Sequence, residues 1–214
     1  MLVMGDMPLG KRHYWPIYAA AERLGLPIGI HAGSAYHNPP SSVGWGSYHI
    51  EDYVAQAQAF QTQLTSLIVE GVFARHPKLK MVMLESGFTW LPPFLWRLHK
   101  FWRGVRMETP WVDRPPLEIV RSNIRFSLQP VDAPPEPETL NRLFDHMQSD
   151  ELLLFSSDYP HWQFDGDEVL PPGLSPDLVR KIIIDNPHAT YPRLKVAHDT
   201  EKRPPVFGQD HAQN

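Results

Sequence analysis

An α/β fold with a parallel sheet is what this sequence predicts, and three observations carry the prediction. Short apolar runs recur near residues 2, 28, 82, 126 and 154, with helix-patterned sequence between them. His31, Glu85, Gln129 and Asp158 stand where the second to fifth runs end, so parallel strands would bring all four polar groups to one edge. No self-similarity at a solenoid period interrupts this alternation.

In chain order, residues 1–4 read as the tail of a strand before a Gly, Asp and Pro turn. Tyr14, Ile17, Tyr18, Ala21 and Leu24 have helical spacing, and Gly25 occupies the position where a left-handed residue ends a helix. LPIGI at 26–30 is a strand running into His31. Residues 35–49, rich in Pro, Gly, Ser and aromatics and carrying His37 and His49, read as an active-site loop. Helical spacing returns from Ile50 to Arg75 with a break near Gly71, and KMVML then forms a buried strand ending at Glu85. Residues 90–102 restart a helix, with Pro92 and Pro93 in its first turn, where a missing N–H does no harm. A short helix at 117–121, an alternating strand at 123–128 (NIRFSL) and a helix at 139–147 follow. Ser175 caps a last helix through Ile184, which Asn186 and Pro187 should stop. The resulting division is a domain over 1–195 and a polar tail over 196–214.

Composition excludes several functions. The 214 residues carry a formal charge of −4 with acids and bases interspersed, which advertises no basic face for nucleic acid or membrane. With no cysteine, disulfides, thiolate nucleophiles and Cys-ligated zinc are all ruled out, so any metal must be held by His and carboxylate. That absence suits a reducing compartment, and with no long apolar run the expected location is cytoplasmic. The 23 prolines, 7 tryptophans and 11 histidines argue for long structured loops with aromatic-lined cavities, the proline excess equally for mere loop stiffening; the expected partners are a small-molecule substrate and, as an option, a second copy of the chain.

The most informative stretch is LLLFSSDYPHW at 152–162. An apolar run of this kind is a strand buried on both faces, and its end crowds Ser156, Ser157, Asp158 and His161 together. From residue type alone, Asp158 is either a site carboxylate or a loop brace, and His31 either a ligand or a buried structural histidine. Glu85 is a site carboxylate or the partner of Arg97 or Arg125. His161, Trp162 and His37 are candidate substrate contacts, and His76 and His99, in helical context, read as structural.

Three segments, YWPIYAAAERLGLPIGIHAG, GVFARHPKLKMVMLESGFTWLPPFLWRLHKFW and FSSDYPHW, resemble the C-terminal half of the metal-dependent amidohydrolase superfamily, in its amidohydrolase-2 branch. That branch contains hydrolases and nonoxidative decarboxylases similar to aminocarboxymuconate semialdehyde decarboxylase. The resemblance implies a partial (β/α)8 TIM barrel, roughly its last five strands. It matches His31 to the fifth-strand metal ligand and Asp158 to the eighth-strand aspartate, a metal-site residue that handles the proton. Glu85 stands where many members carry a sixth-strand histidine. The implied cofactor is a divalent metal, Zn2+ first and Mn2+ second. The implied reaction is hydrolysis of a C–N or C–O bond through metal-bound water, with Asp158 and Glu85 as catalytic carboxylates; loss of CO2 from a carboxylated ring is the alternative. The family's first-strand H-x-H pair is absent from these residues, which leaves open whether this length is itself an enzyme. A truncated product, or a noncatalytic half-barrel needing a partner chain or its N-terminal half, is the reading from another class.

Overall fold

A computed structural model of the protein describes residues 1–33, 37–162, 164, 166 and 169–194; the tail expected at 196–214 lies outside them. Strands β1 (Ile28–His31), β2 (Met81–Leu84), β3 (Ile124–Ser127) and β4 (Leu153–Leu154) pair in sequence order, all parallel. Residues 1–3 lie alongside β1 as a single bridge, Leu2 to His31. There the His31 N–H donates to Met1 O at 2.8 Å and the Val3 N–H to His31 O at 2.9 Å.

The register explains the two faces of the sheet. Ile28, Met81 and Ile124 are in line, as are Ile30, Met83 and Phe126, and all six join the main apolar core with Tyr18 of α1 (Trp15–Leu24) and Phe60 and Leu64 of α2 (His49–Val69). Alternation turns Gly29, Val82 and Arg125, and then His31, Leu84 and Ser127, to the other side. Arg125 is nevertheless buried. It donates to Arg121 O at 2.9 Å and Ile124 O at 2.7 Å, and burial lowers its pKa.

Helices fill the crossovers between strands. Gly25, at φ 62, closes α1 and returns its N–H to Ala21 O and Glu22 O. The expected break near Gly71 separates α2 from α3 (Val72–Arg75), and Pro92 and Pro93 fall in the first turn of α4 (Leu91–Val105). Helices α5 (Pro116–Asn123) and α6 (Pro137–Met147) follow. Among the described residues no helix is long and apolar enough to cross a membrane.

Two expectations differ from the structure. The apolar run at 152–155 pairs as a strand only at Leu153 and Leu154, because Phe155 already turns its N–H to Ile182 O at 3.0 Å. The last helix does not stop at Asn186 and Pro187. α7 (Pro176–Arg180) passes through a π turn (Lys181–Asp185) into α8 (Asn186–Thr190), where Pro187 sits in the first turn with no N–H needed. Asn186 is a tie instead, donating to Asp150 O at 2.9 Å and Leu153 O at 3.0 Å.

Candidate functional site

The strand ends converge as parallel pairing requires. His31 closes β1, Glu85 follows β2, Gln129 follows β3, and Asp158 stands four residues beyond β4. A cleft of about 530 Å³ lies against these ends, lined by Ala32 and Gly33 after β1, Glu85 to Gly87 after β2, Pro130 and Asp132 after β3, and His161 after β4; His31, Gln129 and Asp158 are not among the described residues that line it. The first half of α2 forms another wall, with Asp52, Tyr53 and Gln56.

His31 and Glu85 form the closest pair in the site. His31 Nδ1 lies 2.6 Å from Ala32 O, and a carbonyl only accepts, so a neutral ring carries its proton on Nδ1 and turns a lone pair outward at Nε2. That Nε2 lies 3.0 Å from Glu85 Oε1. Two acceptors at this distance call for a positive charge, either a proton or a metal ion. Glu85 therefore faces neither Arg97 nor Arg125; Arg125 is 3.6 Å from Glu151 at the other end of the sheet.

Glu85 and Asp158 share a backbone feature: both are non-glycine residues in the left-handed region, at φ 57 and φ 59. Such positions persist only where surrounding contacts impose them. For Glu85, the backbone N–H donates to Ser127 Oγ at 2.9 Å, tying the β2 end to β3. The following loop is held by Asp132, whose Oδ1 accepts from the Phe88 N–H at 3.2 Å and Oδ2 from the Thr89 hydroxyl at 2.8 Å. Gly87, at φ 63, lets that carboxylate in: a Cβ there would stand 2.4 Å from Asp132 Oδ2.

Asp158 is nearly enclosed, with its side chain 12% exposed, and its Oδ2 is buried without a hydrogen-bond donor. His161 Nδ1 lies 3.3 Å from that oxygen, within ion-pair distance but without hydrogen-bond geometry. An unpaired buried carboxylate oxygen is costly, so this atom fits a cation ligand or an acceptor for a reacting proton. His31, Glu85 and Asp158 supply nitrogen and oxygen donors suited to a divalent ion. Among the described residues, however, no three such groups are close enough together to hold one.

The other candidates fall around this centre. His161 lines the cleft, while Trp162 stands beside it, exposed and edge-on to Tyr53 with ring centres 5.9 Å apart. His37 is exposed on the loop after β1, and neither it nor Trp162 is among the described residues lining the cleft. His76 is buried with Nδ1 3.2 Å from Glu22, and His99 packs against Trp102. Sequence reasoning missed Asp132 and Gln56. Gln56 accepts from the Gly33 N–H at 3.3 Å and donates to Gly33 O at 2.7 Å, bracing the β1 end against α2. Its signal was present: Gln56 and Gln63 sit seven apart on the buried stripe of α2, where a polar residue needs a partner.

Residues 1–193 match the family model Amidohydro_2, described as amidohydrolase. No curated protein matches the chain significantly. Among solved structures, an amidohydrolase from Mycobacterium avium subsp. paratuberculosis K-10 aligns at 28% identity and TM-score 0.63, over 86% of this chain and 46% of its own. 5-Carboxyvanillate decarboxylase from Sphingomonas paucimobilis aligns at 21% and 0.61, over 88% and 56%. A dihydroxybenzoic acid decarboxylase from Polaromonas sp. JS666, with bound manganese and an inhibitor, aligns at 18% and 0.63, over 92% and 58%. The chain thus spans about half the length of these structures, and the two decarboxylases, below a quarter identical, speak to the fold alone.

Proposed function

We propose that this chain, which belongs to the amidohydrolase family, forms the last five strand positions of a (β/α)8 barrel and carries part of a divalent-metal hydrolase site. Zinc is the proposed metal and manganese the alternative, for which His31 and Asp158 would be ligands, with Glu85 3.0 Å from His31 and further ligands from outside these residues. When bound, such an ion supplies Lewis acidity, lowering the pKa of water at the site and drawing electron density from a carbonyl.

The chain's own residues do the rest. Ala32 O fixes the His31 ring so that Nε2 faces the site. Asp158 Oδ2, unpaired, takes a proton from the attacking water and returns it to the leaving nitrogen or oxygen. His161 stands 3.3 Å from that carboxylate and helps to orient it, and Glu85 offers a second acceptor on the cleft wall.

The observation that favours hydrolysis over decarboxylation is the lining. Among the described residues that line the cleft there are two acids besides Glu85, namely Asp52 and Asp132, and neither Arg nor Lys. A carboxylated substrate would meet those acids with no guanidinium or ammonium to hold its anion, only His161 and the proposed metal. The test is turnover in H2(18)O by the metal-loaded protein on amide, lactone and aromatic carboxylate panels. Label in the product of an amide or lactone supports the reading; CO2 release from an aromatic acid without label sinks it.

A further inference from the structure

We infer that the outward face of α4, with the turn after it, is a docking surface for an acidic protein segment carrying an aromatic or aliphatic anchor. The evidence is independent of the cleft. The chain as a whole is at −4, yet from Leu91 to Met107 it contains Arg97, Lys100, Arg103 and Arg106 and no acidic residue. Charges that look interspersed along the sequence are segregated by the helix, because its apolar side, Leu91 and Leu95, is spent on the core.

All four cations are exposed. Among the described residues none has a carboxylate within ion-pair distance. Two are instead laid over rings, Arg97 at 5.1 Å from the Phe101 centroid and Arg106 at 5.3 Å from that of Trp102. Stacking of this kind limits the freedom a guanidinium loses on meeting a carboxylate. Beside the cations stand Trp96, Phe101 and Met107, at 57%, 51% and 90% exposure, large apolar side chains left open to water, of which Trp96 also meets His146 edge-on at 5.2 Å. Trp, Phe, Met and Arg are the residue types enriched where proteins bind proteins.

The shape narrows the occupant. Gly104 leaves a shallow notch bounded by Trp96, His99, Lys100 and Arg103, and a Cβ at Gly104 would meet nothing within 4 Å. A side chain can seat there while flanking carboxylates reach the cations. A second copy meeting this face with its own would set cation against cation, so a symmetric dimer is disfavoured. A bilayer prefers apolar residues gathered on one stripe, whereas here Trp96 and Phe101 alternate with Arg97, Lys100 and Arg103.

The test uses the full chain and a random glutamate–tyrosine copolymer as probe, followed by fluorescence anisotropy. The wild-type protein is expected to bind, more weakly as salt rises, and better than it binds polyglutamate. R97E/K100E/R103E should bind at least about tenfold more weakly. W96A should lose the preference for the tyrosine-containing polymer. The changed residues are exposed, so an unaltered urea midpoint separates lost docking from lost folding. Equal binding of the charge-reversed variant or of polyglutamate overturns the inference. So does tighter binding to anionic phospholipid vesicles or to RNA homopolymer, or self-association that the same variant abolishes.

Discussion

Replacing Gly87 by alanine should destabilise the protein well beyond the ordinary cost of its backbone angle, and Gly25 supplies the control. Both glycines are left-handed, at φ 63 and φ 62. The added Cβ of Gly25→Ala would meet nothing within 4 Å, so only the backbone term applies, about 1 to 2 kcal/mol. The Cβ of Gly87→Ala would stand 2.4 Å from Asp132 Oδ2 and 3.0 Å from its Cγ, so the carboxylate must move. Moving it breaks the bonds from Phe88 N–H and Thr89 hydroxyl, charge-assisted interactions worth roughly 1.5 to 3 kcal/mol each before discounting for exposure. Thr89 is partly open, so about 2 kcal/mol of extra loss is a fair expectation. Urea unfolding of G25A, G87A, D132A and G87A/D132A reads this as a double-mutant cycle. In the D132A background, the G87A cost should fall to that of G25A. Equal losses for G25A and G87A in the intact protein would refute the clamp.

Other predictions follow from individual contacts. Asn186→Ala strips donors from two carbonyls and should cost about 1 to 3 kcal/mol in urea unfolding; a loss below half of that would mean the tie is unimportant. Glu151→Gln should change stability by less than about 1 kcal/mol, because the Glu151 side chain is 64% exposed and Arg125 rests on two backbone carbonyls. Burial raises the pKa of Tyr18 far above its ordinary value, so the fold keeps this phenol protonated where the unfolded chain ionises. Stability should therefore be unaffected by Tyr18 below pH 10.0, the unfolded value, and fall as pH rises past it, by up to about 1.4 kcal/mol per pH unit. Tyr18→Phe should make that alkaline decline shallower, and an unchanged slope by chemical denaturation would contradict the assignment. His31→Ala and Asp158→Asn should each lower zinc affinity by about tenfold or more in calorimetric titration; unchanged affinity would remove both from the proposed metal site.

The sequence showed strand ends more clearly than what joins them. His31, Glu85 and Asp158 stood out because each ends an apolar run, and Gly25 because a helix needs a left-handed exit there. The His31 to Glu85 contact was not legible, since it depends on register placing His31 beside Leu84. The same register leaves Arg125 covered rather than solvent-facing, which the alternation of NIRFSL did not suggest. Asp132 was hidden because its partners, Phe88 and Thr89, lie more than forty residues away. The Asn186 and Pro187 pair looked like a stop because the widening of one turn into a π segment has no sequence mark here. Charge segregation on α4 was averaged away by composition, which ignores which side of a helix is already occupied.

Under the proposed roles of Glu85 and Asp158, their twisted backbone sets durability against chemistry. A laboratory selection for heat resistance alone, blind to turnover, should drift toward glycine at positions 85 and 158, where relief of the φ 57 and φ 59 angles offers an easy gain. Lineages that retain both carboxylates would be the ones still required to react, so the tolerance of these positions in such an experiment reports on whether the chain is under pressure to act or only to persist.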